Sequence, residues 1–250
     1  MERFFSGTGS TYNHIVNLCT LGFDICWKRK ILEKVPNAPR QIIDQACGTG
    51  ILTLLIARRF PSCRVIGVEL RDEYLKLARE KAQRLRLRNV EFLLGRAEDV
   101  LPEGSFDCIT SSYLAKYADL DRLVAGASRM LGSGGIFVAH DFSYPLNPRF
   151  VRAWEFHFKL LQALGNWKYP QWMTVFKELP GFIRNTAWKG ELVRCLQENG
   201  FSHIKVESLT FGASTVISAQ RMPSTTPVEH ADQVLRRTSQ QGPIPISHKR

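Results

Sequence analysis

Between residues 40 and 143, short apolar runs alternate with segments of helical spacing. RQIIDQA, CRVIGVE, NVEFLLG, SFDCITSS and GGIFVAHDF are strand-length and rich in Val, Ile and Phe. Between them the period lengthens. In EYLKLAREKAQRL, Leu75, Ala78, Ala82 and Leu85 fall on one helical face. This β-α-β-α order predicts an α/β fold with a parallel sheet covered by helices on both faces. Right-handed crossovers make such a sheet doubly wound.

The flanks carry different patterns. Residues 10–35 are amphipathic and predict N-terminal helices. VRAWEFHFKLLQALG (151–165) and YPQWMTVFKEL (169–179) are aromatic-rich and helical, and TAWKGELVRCLQENG predicts a helix stopped by Gly200. HIKVESLTF and ASTVISAQR predict two strands joined by a tight turn at Gly212. From Pro223 onward, Pro, Ser, Thr and Gln replace apolar residues, predicting a loose tail over 223–250 with one helical turn near ADQVLRR.

The chemistry starts at IIDQACGTGILTLLIARRF (42–60), a strand breaking into a turn with Gly48 and Gly50 before a helix. Glycine there permits positive φ and close approach of a ligand to the backbone. In open α/β sheets, ligands bind beyond the carboxyl ends of the strands. Glu69 ends the next strand, where a carboxylate accepts hydrogen bonds from both hydroxyls of a ribose. Together these features imply an adenosine-type cofactor. The dinucleotide fingerprint requires a third glycine, and Thr53 stands in its place, which disfavours a pyrophosphate cofactor. Asp44, ahead of the turn, can orient an ammonium group or fix the turn itself.

With these motifs the chain resembles the class I S-adenosylmethionine (SAM) dependent methyltransferases. DQACGTG resembles their first motif and Glu69 their ribose acid. GRAED (95–99) resembles the loop beside the adenine, FDCITSS (106–112) the fourth-strand motif, and LGSGGIFV (131–138) the turn before the fifth strand. The likeness narrows to the ubiquinone/menaquinone biosynthesis C-methyltransferases. FFSGTGSTYNHIVNLCTLGFDICWKR keeps that family's spacing of Phe5, Tyr12, Asn17, Leu21-Gly22 and Trp27-Lys28-Arg29. DFSYP (141–145) resembles its Glu-Phe-Ser-x-Pro, FHFKLLQALG its next helix, and ENGF with LTFGASTVISAQR its closing strands. The chain departs from the pattern at Asn13, at Asp141, and at Tyr113-Leu114-Ala115-Lys116-Tyr117, where Lys116 takes the family's Arg and Tyr117 its Asn.

The resemblance implies a seven-stranded, mostly parallel sheet in one domain over 1–222, with a helical lid at 145–190 on the substrate side. It implies SAM held by Asp44, Ala46, Gly48, Thr49, Gly50, Thr53, Glu69, Leu70, Arg96, Ala97, Glu98 and Ser112. It also implies a lipophilic quinol precursor as methyl acceptor, with another small molecule, such as a phospholipid amine or natural-product phenol, as the alternative.

Methyl transfer from a sulfonium is an in-line displacement with a good leaving group, so the protein mainly positions the partners and excludes water. A ring-carbon acceptor adds two proton steps, loss of the phenol proton and of the proton on the methylated carbon. Lys116, Asp141, His140 and Tyr113 are the candidates for this work, and His157, which matches a family histidine, is a further one. Lys116 can stabilise a phenolate, with less geometric precision than a bidentate Arg. Each has an ordinary alternative: surface decoration for Lys116, a satisfied core group for His140, packing for His157. No metal-ligand cluster stands out, and no metal is expected.

The formal net charge of +11 adds one more expectation. Basic clusters at WKRK (27–30), ARR (57–59) and RLRLR (84–88) suit an anionic membrane face or nucleic acid. The sequence carries no recognisable RNA-binding module and no Asn-Pro-Pro-Tyr type signature, which places nucleic acid and RNA methylation behind the small-molecule reading. A SAM-binding scaffold without turnover, and self-association into a homodimer, both stay open. Six scattered cysteines without a Cys-x-x-Cys pair read as reduced thiols. With no secretory h-region and no long apolar run, the expected location is cytoplasmic, at the membrane periphery when the acceptor is lipophilic.

Overall fold

A computed structural model describes residues 8–223. Among them, seven strands form one sheet in the order β3-β2-β1-β4-β5-β7-β6. The strands are β1 Gln41–Gln45, β2 Arg64–Glu69, β3 Val90–Leu94, β4 Phe106–Ser112, β5 Leu131–Phe142, β6 Phe201–Leu209 and β7 Ser214–Arg221. β1 to β5 pair in parallel. β7 inserts antiparallel between β5 and β6, so the doubly wound, mostly parallel sheet expected from the alternation is present. Phe5 and the tail with its ADQVLRR turn lie outside the described residues.

The two faces of the sheet follow from the period of two along each strand. Ile43, Ile66, Ile109, Phe137 and Ile217 pack on one side with α5 (Leu120–Met130) and α8 (Trp188–Glu198). Their neighbours Ile42, Val65, Cys108, Val138 and Val216 pack on the other side with Ile31 of α2 (Asp24–Leu32) and with Leu52 and Ile56 of α3 (Ile51–Arg59). α4, between β2 and β3, spans Asp72–Arg84. Its buried stripe is Tyr74, Leu75, Ala78 and Ala82; Leu85 caps the helix and is exposed.

A third apolar cluster lies above the carboxyl ends of the strands. It joins Ile15 of α1 (Tyr12–Cys19), Trp27 of α2, Phe158 and Leu161 of α6 (Pro148–Lys168), and Val175, Phe176, Leu179 and Ile183 of α7 (Met173–Asn185). α1 and α2 are separated at the Leu21-Gly22 turn, where both residues adopt positive φ and the Gly22 N–H reaches back to Asn17 O at 2.8 Å. α7 runs past Pro180, where the sequence pattern predicts a stop. Proline removes the N–H that would satisfy the Phe176 carbonyl, and Gln162 Nε2 of α6 donates to that carbonyl instead, at 2.9 Å. β6 begins two residues earlier than its apolar pattern predicts, and β5 absorbs the glycine turn. Cys108 pairs with Ile136 while Phe106 pairs with Leu131, so residues 132–135 bulge out of register.

Candidate active site

β1 ends at Gln45, and the chain then turns through three left-handed residues, Ala46 (φ 54°), Gly48 (φ 57°) and Gly50 (φ 83°), before α3. A side chain at Gly50 would stand 3.1 Å from the Ala78 Cβ, so this turn requires glycine for space as well as conformation. Ala46 holds a strained conformation for a residue with a Cβ, as does Tyr113 (φ 66°) at the end of β4. Both border one cleft, and such outliers concentrate at functional sites.

One half of the cleft is polar. Gly48, Glu69, Leu70, Arg71 and the third-strand loop from Gly95 to Glu98 form it, with Ala46 and Ser112 at its floor. The Glu69 carboxylate is held from behind: Oε2 accepts the Gly48 N–H at 2.9 Å and Oε1 accepts the Arg71 N–H at 3.0 Å. Each oxygen keeps a second lone pair. A carboxylate so oriented, next to a glycine turn and a loop that can flank a base, fits the adenosine end of SAM. Burial raises the Glu69 pKa, and these N–H donors oppose that rise.

The other half is apolar. Ile15, Val16, Phe142, Trp172, Val175 and Leu179 line it, all but Val16 from the third cluster. Tyr113 stands between the halves, stacked on Phe142 with ring centroids 4.8 Å apart. Its hydroxyl donates to Asp24 Oδ1 at 2.7 Å. Asp24 is buried and ion-paired with Lys28 one helical turn on, and Lys28 Nζ lies 4.9 Å from the Tyr113 ring centroid. Burial first, and then the negative charge of Asp24, push the Tyr113 pKa well above the usual phenol range. Sequence reasoning missed Asp24. Its only signal is the i,i+4 spacing to Lys28, which does not announce burial.

A smaller cavity opens beside the glycine turn and shares Tyr12, Ala46, Gly48, Ser112 and Tyr113 with the cleft. Lys28 and Asp44 line it. Asp44 accepts hydrogen bonds from Thr53 Oγ1 at 2.5 Å and Thr110 Oγ1 at 2.9 Å, so it fixes the turn, and burial lifts its pKa to about 6. Thr53 is buried and faces Asp44, not the cleft. Thr49 is buried and donates to Asn13 Oδ1 at 2.6 Å. Of the twelve residues expected around SAM, Ala46, Gly48, Glu69, Leu70, Arg96, Ala97, Glu98 and Ser112 border the large cleft. Asp44, Thr49, Gly50 and Thr53 shape the turn behind it.

Two of the four catalytic candidates move out of the cleft. His140 is fully buried, with Nδ1 2.9 Å from Ser112 Oγ and Nε2 2.7 Å from Ser214 Oγ. Burial, with Lys28 and Lys116 nearby, holds its pKa well below the usual histidine value. A neutral imidazole with both nitrogens engaged is a structural group. Asp141, the second candidate, is also fully buried. It accepts the Lys116 N–H at 3.1 Å, the Phe142 N–H at 2.7 Å and the Lys116 ammonium at 2.5 Å. Lys116 does border the cleft, yet its side chain is 1 % exposed. It is neither surface decoration nor a free cation for a phenolate, because Asp141 already neutralises it. Nζ also lies 4.3 Å from the Tyr117 ring centroid. Desolvation lowers the Lys116 pKa against the pull of Asp141. His157 lies outside the cleft lining and donates to Cys19 O at 3.1 Å, tying α6 to α1.

Comparison with known proteins places this geometry. The demethylmenaquinone methyltransferase of Thermus thermophilus is 29 % identical over 216 residues, covering 85 % of this chain and 97 % of the relative. That of Listeria monocytogenes is 24 % identical over 225 residues, covering 86 % and 92 %. Among solved structures, the geranyl diphosphate C-methyltransferase of Streptomyces coelicolor, in complex with Mg2+, geranyl-S-thiolodiphosphate and S-adenosyl-L-homocysteine, superposes with a TM-score of 0.60. It shares 19 % identity over 80 % of this chain and 76 % of that one, a likeness of fold. The model of the ubiE/COQ5 methyltransferase family matches residues 1–221, and the chain belongs to that family of SAM-dependent methyltransferases.

Proposed function

We propose that the protein transfers the methyl group of SAM to a ring carbon of a lipophilic quinol precursor of the demethylmenaquinone type. The observation that carries this reading is the continuity of one cleft, polar around Glu69 and apolar around Ile15, Phe142 and Val175, with Tyr113 at the junction. The names of the relatives support the acceptor class.

SAM supplies an electrophilic methyl on a sulfonium. The residues do the rest. Glu69 receives the ribose hydroxyls, and Arg96, Ala97 and Glu98 flank the base. Asp44, on the smaller cavity, matches the ammonium of the amino-acid end in charge. The apolar wall aligns the ring and sheds its water, which is where most of the acceleration of a displacement with a good leaving group arises. Tyr113 takes on its oxygen the proton that the methylated ring carbon loses while passing its hydroxyl proton to the Asp24 carboxylate, which is the base. The Lys116–Asp141 pair holds the wall beside Tyr113 rigid. Residues 145–190 act as the lid, covering the apolar half with Trp172 and with Val175 and Leu179 of α7 while α6 packs behind them.

The chain associates peripherally with anionic bilayers in this reading, because its acceptor resides there and its charge is +11. Among the described residues, no helix is long and apolar enough to cross a membrane. Mass spectrometry of quinones from cells lacking the protein tests the proposal. Accumulation of a precursor one methyl short of the mature quinone supports it, and an unchanged quinone profile refutes it.

A further inference from the structure

α6 presents a second apolar face. Its inner side, with Phe158 and Leu161, packs in the cluster that forms the acceptor wall. On the outer side, Ala153, Phe156, Leu160, Ala163 and Trp167 recur at three- and four-residue spacing and are all exposed. Phe156 is 69 %, Leu160 49 % and Trp167 83 % exposed. Scattered apolar surface residues are normal, but a single stripe along a 21-residue helix is not scatter. Arg149, Arg152, Lys159 and Lys168 are exposed on the same helix. The one acid in its sequence, Glu155, is tied to Arg184 Nη2 at 2.5 Å and to the Tyr144 hydroxyl at 3.2 Å.

We infer that α6 is the docking face of the protein for an anionic lipid bilayer, lying in the plane of the interface with Phe156, Leu160 and Trp167 among the acyl chains. An apolar stripe with a basic border and a terminal tryptophan has the composition of an interfacial helix. The basic border selects the bilayer over an uncharged apolar partner, because it complements anionic headgroups. The position of α6 gives the contact a purpose. The same helix touches lipid on one side and the acceptor wall on the other, so a lipophilic acceptor passes from bilayer to cleft along its edge. His157 fastens α6 to the end of α1 through the Cys19 carbonyl, and Leu21 and Phe23, which follow in the chain, are exposed too. This purpose rests on the lipophilic-acceptor reading above; the docking itself does not.

Co-sedimentation with vesicles containing no quinone tests it, using phosphatidylglycerol-rich and pure phosphatidylcholine bilayers. The full chain is expected to prefer the anionic vesicles. Phe156→Ser with Leu160→Ser should weaken binding about tenfold or more. Arg152→Gln and Lys159→Gln should each weaken anionic binding about fivefold. Arg84→Gln with Arg86→Gln, on a different surface, should leave it unchanged. SAM affinity and circular dichroism establish that each variant is folded. The inference is overturned if the α6 variants bind as the wild type does, or if all basic sites contribute equally. It is equally overturned if Phe156→Ser with Leu160→Ser dissociates a homodimer while vesicle binding persists. Failure of methyl transfer to a quinol would leave these vesicle results standing, so the two readings fail separately.

Discussion

The Tyr113 hydroxyl donates to Asp24 Oδ1 at 2.7 Å, linking the end of β4 to the first turn of α2 across the junction of the cleft. Asp24 in turn holds Lys28. The arrangement keeps the Asp24 carboxylate out of water behind the Tyr113 hydroxyl, and in the proposed function it is the proton route for the acceptor.

Tyr113→Phe removes this route while keeping the ring stacked on Phe142. A positioned proton-transfer group contributes about 10²–10⁴-fold, so kcat should fall within that range while SAM affinity stays the same. Single-turnover kinetics with a ring-carbon acceptor measure it. Full activity in Tyr113→Phe would remove Tyr113 and Asp24 from the chemistry.

Lys116→Ala leaves Asp141 buried without its cation. Breaking such a pair costs about 3–5 kcal/mol, and urea unfolding should show a loss of that size. Lys116→Met combined with Asp141→Asn removes both charges and keeps an acceptor oxygen for one of the two backbone N–H groups. The double variant should recover part of the loss. A single variant as stable as the wild type would mean that the pair is open to water.

Glu69→Ala deletes the proposed ribose acceptor and the brace on Gly48. Loss of hydrogen bonds to a charged group costs about 1.5–3 kcal/mol, or about 10- to 150-fold in SAM affinity. Calorimetric titration reads it, and Glu69→Gln, which can still accept, should fall between. If SAM binds Glu69→Ala unchanged, the ribose sits elsewhere.

Asp44 predicts a pH dependence. Its folded pKa is about 6, against an ordinary 3.8, because burial disfavours the carboxylate. The native state therefore binds more protons than the unfolded chain between these values. The stability Asp44 contributes is fully present below pH 3.8 and is lost as pH rises through about 6. At about 1.4 kcal/mol per pH unit the loss is about 3 kcal/mol. The stability difference between wild type and Asp44→Asn should shrink by this amount from acid to neutral pH. Parallel profiles would show that Asp44 is solvated.

Much of this was legible in the sequence wherever a local rule had only one outcome. Alternation at Ile42-Ile43 and Val65-Ile66 specified two covered faces, hence a sheet with helices on both sides. The spacing from Gly48 and Gly50 to Glu69 put a glycine turn and an acid at adjacent strand ends, and the structure joins them through the Gly48 N–H. What escaped was burial and partner choice. His140 and Asp141 end a strand, as a cleft residue does, but Ser214 and Lys116 reach them from distant segments. Asp24 is an ordinary first-turn acid until α2 folds over Tyr113. Pro180 forecasts a helix end unless Gln162, on another helix, satisfies the orphaned carbonyl.

If one cleft aligns SAM with a ring carbon of a lipophilic quinol, the methyl group must arrive on carbon. The direct measurement is incubation of the protein with isotope-labelled methyl SAM and a reduced demethylmenaquinone, followed by fragmentation mass spectrometry of the product. One labelled methyl is expected on a ring carbon, formed at a rate that Tyr113→Phe depresses. Label on oxygen, label on nitrogen of an added phospholipid amine instead, or no transfer by a protein that binds SAM would contradict it.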